Sequence, residues 1–321
     1  MALTLTEALL QTDLRQYIAD NSDTFADRKL HRAVITGLER LGRRRCWSFH
    51  RDSYPVNTVV AYKSTTASGT PTAAVAIGAT AVTTSAGTVP TDVVTGRAWV
   101  EFDGQRRAYE IQARGGATSI TLRSAYGNSN ATDLTAATYI ISYPSIALPA
   151  NFKSLRKVID SGRSSILDII QSDDMEELHA SRSGVGSPDY CAVRPLRNDP
   201  NTSLLWLYPA PDTQETYEIL YNRTPGWYDS STIATANFTL EPTTTAYFVD
   251  WPLHLKGLLL ASCRLSLVEE GIKGIDYGAA LQSYRELLLA AEADDERAPE
   301  FDYLGRDSMH ERLGETWRIG T

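Results

Sequence analysis

Apolar residues near the start of the chain recur at the spacing of one helical face. Leu10 and Leu14 belong to a predicted first helix of about three turns, and Thr4 and Glu7 have the spacing of a capping box at its start. A second helix with the same spacing is expected to run to about residue 49. The N-terminal segment is therefore predicted to be helical.

Helical spacing returns in the last third of the chain. One predicted helix follows a cap at Asp250 and stops at Gly271, and another begins at Asp276 and carries its apolar stripe to Ala291. These two helices are expected to pair as a helical hairpin. A short helix with acidic residues in its first turn is predicted to start near Ser172.

Between about residues 56 and 144 the spacing changes from helical to alternating, and the composition changes with it. The stretch between Lys63 and Arg97 contains a single charged residue, Asp92, and consists mostly of Ser, Thr, Ala, Gly and Val. Such residues favour short strands and turns over long helices. We therefore interpret residues 56–144 as an inserted all-β domain, with strands predicted at residues 97–102, 107–112, 119–123 and 138–143.

A smaller β structure is predicted after the short helix. Two apolar runs, DYCAVRPL and LLWLYPAP, flank a turn at residues 199–201, and YEILYNRTP completes a three-stranded meander. The predicted fold class is therefore α+β. Its helical body comprises residues 1–55 and 145–296 and carries the small meander, and the all-β domain is inserted into it. Residues 297–321 have no sustained period and are interpreted as an extended C-terminal tail.

Composition and charge exclude several classes of protein. With 42% hydrophobic and 22% charged residues, and no apolar run approaching about 18 residues, we expect a cytosolic globular protein with no signal sequence and no membrane partner. Three widely spaced cysteines, Cys46, Cys191 and Cys263, offer neither a disulfide framework nor a metal knuckle. The formal net charge of -8 is opposite in sign to that of most nucleic-acid binders, so tight DNA binding is not expected as the main task.

The chain carries no recognisable motif for catalysis, phosphate binding or metal binding. The nearest approach to a phosphate loop, residues 184–188, lacks the third glycine and is interpreted as a loop. The five histidines fall in different segments, so none has a neighbour at metal-binding spacing on a helix. The acidic clusters 173–177 and 292–296 are interpreted as helix capping and a solvated face. We predict a protein that is not an enzyme and needs no cofactor.

A run of arginines near the end of the second predicted helix is a candidate binding surface. Arg43, Arg44 and Arg45 precede Trp47, and arginine with tryptophan commonly anchors protein interfaces. Two other interpretations stay open: arginines that complement the negative end of a helix dipole, and phosphate binding with aromatic stacking. The remaining residues of the candidate interface lie in the tail: Tyr303, Leu304, Arg312, Trp317 and Arg318.

Three stretches of the chain carry short motifs that are similar to those of one protein family. They are YPSIALPANFKSLRKV at residues 143–158, GSPDY at residues 186–190 and LLWLYPAPDTQETYEILYNRTP at residues 204–225. Together with the β strands VEFDGQRRAYEI and SITLRSAYGN, a helix that ends in Arg and Trp, and the C-terminal helix pair, they resemble the head-to-tail adaptor proteins of tailed bacteriophages, also called connector or neck proteins.

The resemblance implies a structural virion protein without catalytic activity. Such proteins form a homo-oligomeric ring, commonly dodecameric, between the portal protein and the tail or nozzle proteins. The expected location is the neck of the virion, after assembly in the host cytoplasm. Viral DNA would pass through the ring without specific binding, and a negative net charge suits such a conduit because it repels the duplex at short range.

Two alternative functions stay open. The first is a tail nozzle or another structural component of the tail. The second is a carbohydrate-recognition module, which would use the Ser/Thr/Gly-rich insertion and the abundant Tyr and Trp of the chain.

Overall fold

The computed structural model divides the chain into two compact units. The first, here called the helical unit, comprises Met1–Arg51 and Thr224–Thr321, and the second, the β unit, comprises Asp52–Arg223. The structure describes residues 5–17, 27–65, 70–85, 89–91, 93, 97–103, 107–127, 132–181, 184–196, 199–230, 237–240, 247–270 and 276–297.

Five α-helices occur among the described residues. They are α1 (Glu7–Tyr17), α2 (Asp27–Arg44), α3 (Ser172–Ser181), α4 (Lys256–Glu269) and α5 (Tyr277–Arg297). Short 3-10 helices lie at Ser48–His50 and Leu253–Leu255. No helix within the described ranges is both long enough and apolar enough to cross a membrane.

The described strands are mostly short. In chain order they are β1 (Arg51–Asn57), β2 (Tyr62–Lys63), β3 (Ala73–Val75), β4 (Ala81–Thr84), β5 (Trp99–Phe102), β6 (Ala108–Gly116), β7 (Ser119–Leu122), β8 (Leu134–Ala137), β9 (Tyr139–Ser142), β10 (Ser145–Ala147), β11 (Phe152–Asp160), β12 (Ser165–Ile166), β13 (Asp168–Ile169), β14 (Val185–Gly186), β15 (Tyr190–Leu196), β16 (Asp199–Tyr208), β17 (Ala210–Pro211), β18 (Thr216–Arg223), β19 (Trp227–Tyr228), β20 (Phe238–Thr239) and β21 (Phe248–Val249).

The helical unit packs α1, α2, α4 and α5 around one apolar core. Helix α2 contributes Leu30, Val34, Leu38 and Leu41, whose spacing places them on one face. That face meets α4 closely, since a Cβ added at Gly37 would lie 2.7 Å from Cys263 Sγ. A small sheet of order β20-β19-β21 completes the unit.

The β unit contains three larger sheets and a short two-stranded one. An eight-stranded antiparallel sheet has the order β2-β9-β5-β6-β7-β4-β3-β8, and two four-stranded sheets have the orders β1-β18-β11-β12 and β10-β16-β15-β13. Alternate residues of β5, β7 and β9 are buried, as expected for strands with one face in a core. Strand β14 pairs with β17 in the fourth, two-stranded sheet.

The predicted fold class is wrong. The structure is β-rich, because strands outside residues 56–144 form two further four-stranded sheets where a small meander was expected. The meander itself does not form: β15 and β16 are neighbours, but β18 pairs with β11 in another sheet. The predicted turn at residues 199–201 lies within β16. Apolar runs of this length fit several sheet partners, so periodicity identified the strands but not their pairing. The predicted domain boundaries stay a prediction.

Most local predictions are confirmed. The four strands predicted within residues 97–143 correspond to β5, β6, β7 and β9, and the helix near Ser172 is α3. The helical hairpin is α4 with α5. The predicted cap at Asp250 is wrong, because α4 begins after Leu255 without a side-chain cap. At the start of α1 the Leu9 N–H donates to Thr6 Oγ1 over 3.3 Å. The structure of Thr4 and of the tail lies outside the described residues.

Candidate protein-protein interface at the ends of α2 and α5

The arginine run at the end of α2 lies against the C-terminal end of α5. Arg44 Nε is 3.1 Å from Glu292 Oε1, and Arg45 Nη2 is 3.1 Å from Asp295 Oδ2. Arg43 Nη2 pairs within its own helix, 2.9 Å from Glu39 Oε2. We call this group of side chains, together with Arg40 and Glu269, the arginine–carboxylate cluster. It joins two sequence features that are almost 250 residues apart.

The last turns of α5 explain why this cluster forms. Glu292, Asp294, Asp295 and Glu296 repel one another and lie at the negative end of a helix dipole. Arginines from α2 offset this unfavourable charge. Asp295 also accepts hydrogen bonds from the Ser48 N–H at 2.9 Å and from Ser48 Oγ at 2.5 Å. The prediction of a solvated acidic face is therefore wrong for Asp295, whose side chain is only 7% exposed.

Arg40 ties α2 to both helices of the hairpin. Its guanidinium forms an ion pair with Glu269 at the end of α4 and donates to the Ser262 carbonyl over 3.2 Å. The same group lies 6.0 Å from the ring centroid of Tyr284 on α5. Arg40 therefore has a structural role in joining three helices. An open groove of about 560 Å³ runs beside it, lined by Thr36, Glu39, Arg40, Arg43, Arg44 and Tyr284.

Trp47 is a core residue of the helical unit. Its side chain is fully buried, and its indole N–H donates to the Leu41 carbonyl over 3.1 Å. The ring packs edge-on against Trp251 and is stacked near Phe49. In this structure Trp47 is therefore unavailable as an exposed anchor. The Trp47 ring also contacts Arg45, whose guanidinium lies 5.5 Å from the ring centroid.

Exposure divides the predicted arginines into two kinds. The side chains of Arg43 and Arg44 are 82% and 57% exposed, whereas that of Arg45 is 27% exposed. Exposed ion pairs contribute only about 0–1 kcal/mol each, so a partner's carboxylate can replace the present one at little cost. Arg43 and Arg44 are therefore suited to an interface, and Arg45 is suited to holding the end of α5. The tail residues of the predicted interface, Tyr303, Leu304, Arg312, Trp317 and Arg318, lie outside the described residues.

The β unit contains a buried ring stack that the sequence did not reveal. The His179 and Trp206 rings are stacked 4.7 Å apart, and the guanidinium of Arg194 lies 3.9 Å from the Trp206 ring centroid. Burial lowers the pKa of His179 to about 4, despite an opposing contribution from the hydrogen bond to the Leu207 carbonyl. His179 is therefore neutral at pH 7 and packs as an aromatic residue.

A second group that the sequence did not reveal surrounds Glu215. Ser187 Oγ donates to its carboxylate over 2.6 Å, and Tyr217 and Arg163 also contact it. Burial alone would raise the pKa of Glu215, but hydrogen bonds from Ser187 and Tyr217 and the charge of Arg163 together hold it below its usual value. No sequence pattern signals this arrangement, since its members come from three separate segments.

The cysteines, the potential metal ligands and the phosphate-loop candidate were each compared with what their chemistry requires. Burial raises the pKa of the thiols of Cys191 and Cys263 to about 12, so neither is a nucleophile at neutral pH. No group of three or more potential metal ligands occurs in the part of the chain that the structure describes. Residues 185 and 186 form strand β14 and not the start of a phosphate-binding helix.

Comparison with protein-family models finds no match for the chain, and comparison with curated protein sequences finds none either.

Proposed function

We propose that this protein is a ring adaptor in the neck of a tailed bacteriophage. In this proposal many copies form a closed ring between the portal protein and the tail or nozzle proteins, and viral DNA passes through without specific binding. The protein is structural and has no catalytic activity. It reaches the virion neck from the host cytoplasm during assembly.

The observation that supports this proposal most is the arginine–carboxylate cluster. It offers two exposed arginines, Arg43 and Arg44, whose present partners are exchangeable. Beside them, Arg45 and Ser48 hold the end of α5 at Asp295, from which the chain continues into residues 298–321. A charged surface next to a long terminal segment suits a subunit that must contact several neighbours.

Several residues in the stretches that resemble the adaptor family lie in an apolar core of the β unit. Val158 of β11, Leu205 and Leu207 of β16, and Tyr217 and Ile219 of β18 are fully buried in one apolar core. In the proposed adaptor they would set the shape of the β unit and leave contacts to exposed residues. The net charge of -8 agrees with a conduit for DNA because like charges repel at short range.

The alternative of a carbohydrate-recognition module gains no support from the described residues. A sugar platform needs exposed aromatic rings. In residues 56–144 the rings of Phe102, Tyr109, Tyr126, Tyr139 and Tyr143 are buried. The other two aromatic residues there, Tyr62 and Trp99, are partly buried and pack against apolar clusters.

Electron microscopy of the purified protein, alone and mixed with its portal, tests the proposal. We expect closed rings, and we expect a variant without residues 297–321 to lose docking to the portal. Labelled subunits in intact particles would then lie between portal and tail. A protein that stays monomeric under all conditions, or a label at the tail tip, would contradict the proposed adaptor. A label at the tip would favour the tail nozzle.

A further inference from the structure

A second groove on the helical unit is formed by α1 and α4. It has a volume of about 560 Å³, and its lining includes Asp13, Gln16 and Tyr17 of α1 and Lys256, Leu260 and Arg264 of α4. Lys256 Nζ lies 2.5 Å from Asp13 Oδ2, so these two charges neutralise each other. Arg264 is the remaining charged group in this lining.

Arg264 differs from the arginines of the arginine–carboxylate cluster. Each of those has a carboxylate partner, whereas Arg264 has neither an ion pair nor a side-chain hydrogen bond to any residue that the structure describes. Its Nε is shielded from solvent and has no acceptor. A partly buried guanidinium without an acceptor is costly, because its desolvation is not compensated. An external acceptor at the terminal Nη groups, which are not among the shielded atoms, would offset part of this cost.

The contact with Tyr17 prepares Arg264 for a particular kind of acceptor. The guanidinium carbon lies 4.0 Å from the Tyr17 ring centroid. Stacking on the Tyr17 ring orients the guanidinium through one of its faces. The N–H donors lie in the guanidinium plane and are not covered by the ring, and a carboxylate can accept hydrogen bonds from two of them at once. The exposed ring of Tyr17 and the partly buried Leu260 supply apolar contacts beside this position.

We propose that the groove between α1 and α4 binds an acidic peptide segment of a partner protein. A glutamate or aspartate of the segment pairs with Arg264, and an adjacent apolar side chain covers Tyr17 and Leu260. A multiply charged polyanion fits less well, because Asp13 lies in the groove and the whole chain carries a net charge of -8. This inference goes beyond the proposed ring adaptor and does not rest on it.

Calorimetric titration of the full chain with three probes tests the inference. The probes are a capped pentapeptide with one glutamate flanked by leucine and phenylalanine, its twin with glutamine in place of glutamate, and inorganic phosphate. We expect saturable binding of the acidic peptide, and no saturation with the glutamine twin or with phosphate at the same concentrations. Failure of the acidic peptide to bind, or phosphate binding of equal affinity, would overturn the inference.

Variants then assign the binding to Arg264. We expect Arg264→Gln to weaken the acidic peptide about tenfold or more, and Arg264→Lys to weaken it less, because lysine keeps the charge but not the planar pair of donors. Arg285→Gln, at an exposed position on α5, is the matched control and should bind as the parent does. If Arg264→Gln does not fold, the affinities of Arg264→Lys and Tyr17→Leu for the acidic peptide are measured instead. Both are expected to be lower than the affinity of the parent chain. Unchanged affinity in the folded Arg264 variants would overturn the assignment.

Discussion

The exposed arginine pairs of the helical unit and the Glu215 group of the β unit hold their charges in different ways. In the helical unit, Arg43 and Arg44 meet carboxylates at an exposed surface, each through a single ion pair. In the β unit, the Glu215 carboxylate accepts hydrogen bonds from several partners, among them Ser187 and Tyr217. An exposed pair can exchange its partner at little cost, whereas a carboxylate with several donors is fixed. We therefore expect Arg43 and Arg44 to take part in binding and the Glu215 group to be part of the framework of the β unit.

The largest expected effect concerns Trp47, which belongs to the core although it adjoins the arginine run. We expect Trp47→Ala to lower the free energy of unfolding by about 3–5 kcal/mol, since it leaves a cavity among Phe49, Trp251 and Leu41. Tyr277→Ala, at an exposed position on α5, is the control and should cost less than about 0.5 kcal/mol. Denaturant unfolding measures both. Equal costs would show that Trp47 is not a core residue.

The next effect is the pH dependence of the β unit. The folded pKa of His179, about 4, lies below the usual value of 6.5, so the folded state favours the neutral ring. Its contribution to stability is complete above pH 6.5 and is lost as the pH falls toward 4, with a total of about 3 kcal/mol at 1.36 kcal/mol per pH unit. Unfolding measured between pH 7 and pH 4 checks this loss.

His179→Phe is the matched variant for that measurement. Phenylalanine keeps a ring beside Trp206 but cannot titrate, so the slope of stability against pH should become shallower in this range. The variant also leaves the Leu207 carbonyl without its donor and should be less stable than the parent at pH 7. An unchanged slope would mean that His179 does not titrate as its burial implies.

A smaller effect separates two neighbours at the end of α5. Asp295 is largely buried and accepts from Ser48 and Arg45, whereas the side chain of Glu296 is 73% exposed. We expect Asp295→Asn to cost about 1–3 kcal/mol, because a charged acceptor for these donors is lost, and Glu296→Gln to cost less than about 0.5 kcal/mol. Thermal unfolding of the two variants compares them. Similar costs would show that the cluster does not hold α5 through Asp295.

Local periodicity was sufficient to predict much of the fold but not its assembly. Alternation placed β5, β7 and β9, and helical spacing placed α4 and α5, because one-sided burial leaves these periods in the sequence. The pairing of β18 with β11 left no such trace, since both faces of several strands are apolar enough to fit other partners.

The candidate interface was predicted only in part. The arginine run was recognisable from composition, but its partners were not. Glu292 and Asp295 reach it because the C-terminal ends of α2 and α5 lie side by side, although the two helices are far apart in sequence. Trp47 looked like an interface anchor because burial cannot be read from residue type alone. Arg264 gave no sequence signal, since an isolated arginine on a helix is ordinary.

Arg43 and Arg44 are proposed to belong to an interface between proteins, and native mass spectrometry of the full chain tests this claim. The variant Arg43→Glu with Arg44→Glu is compared with the parent chain and with Arg28→Glu with Arg285→Glu, two exposed arginines of α2 and α5 away from the cluster. Thermal unfolding first establishes that all three proteins are folded at the temperature of the measurement, because Arg44→Glu places a carboxylate beside Glu292. We predict that the parent and the control form the ring and that the Arg43 and Arg44 variant stays smaller. A ring of the same size in all three would contradict the claim.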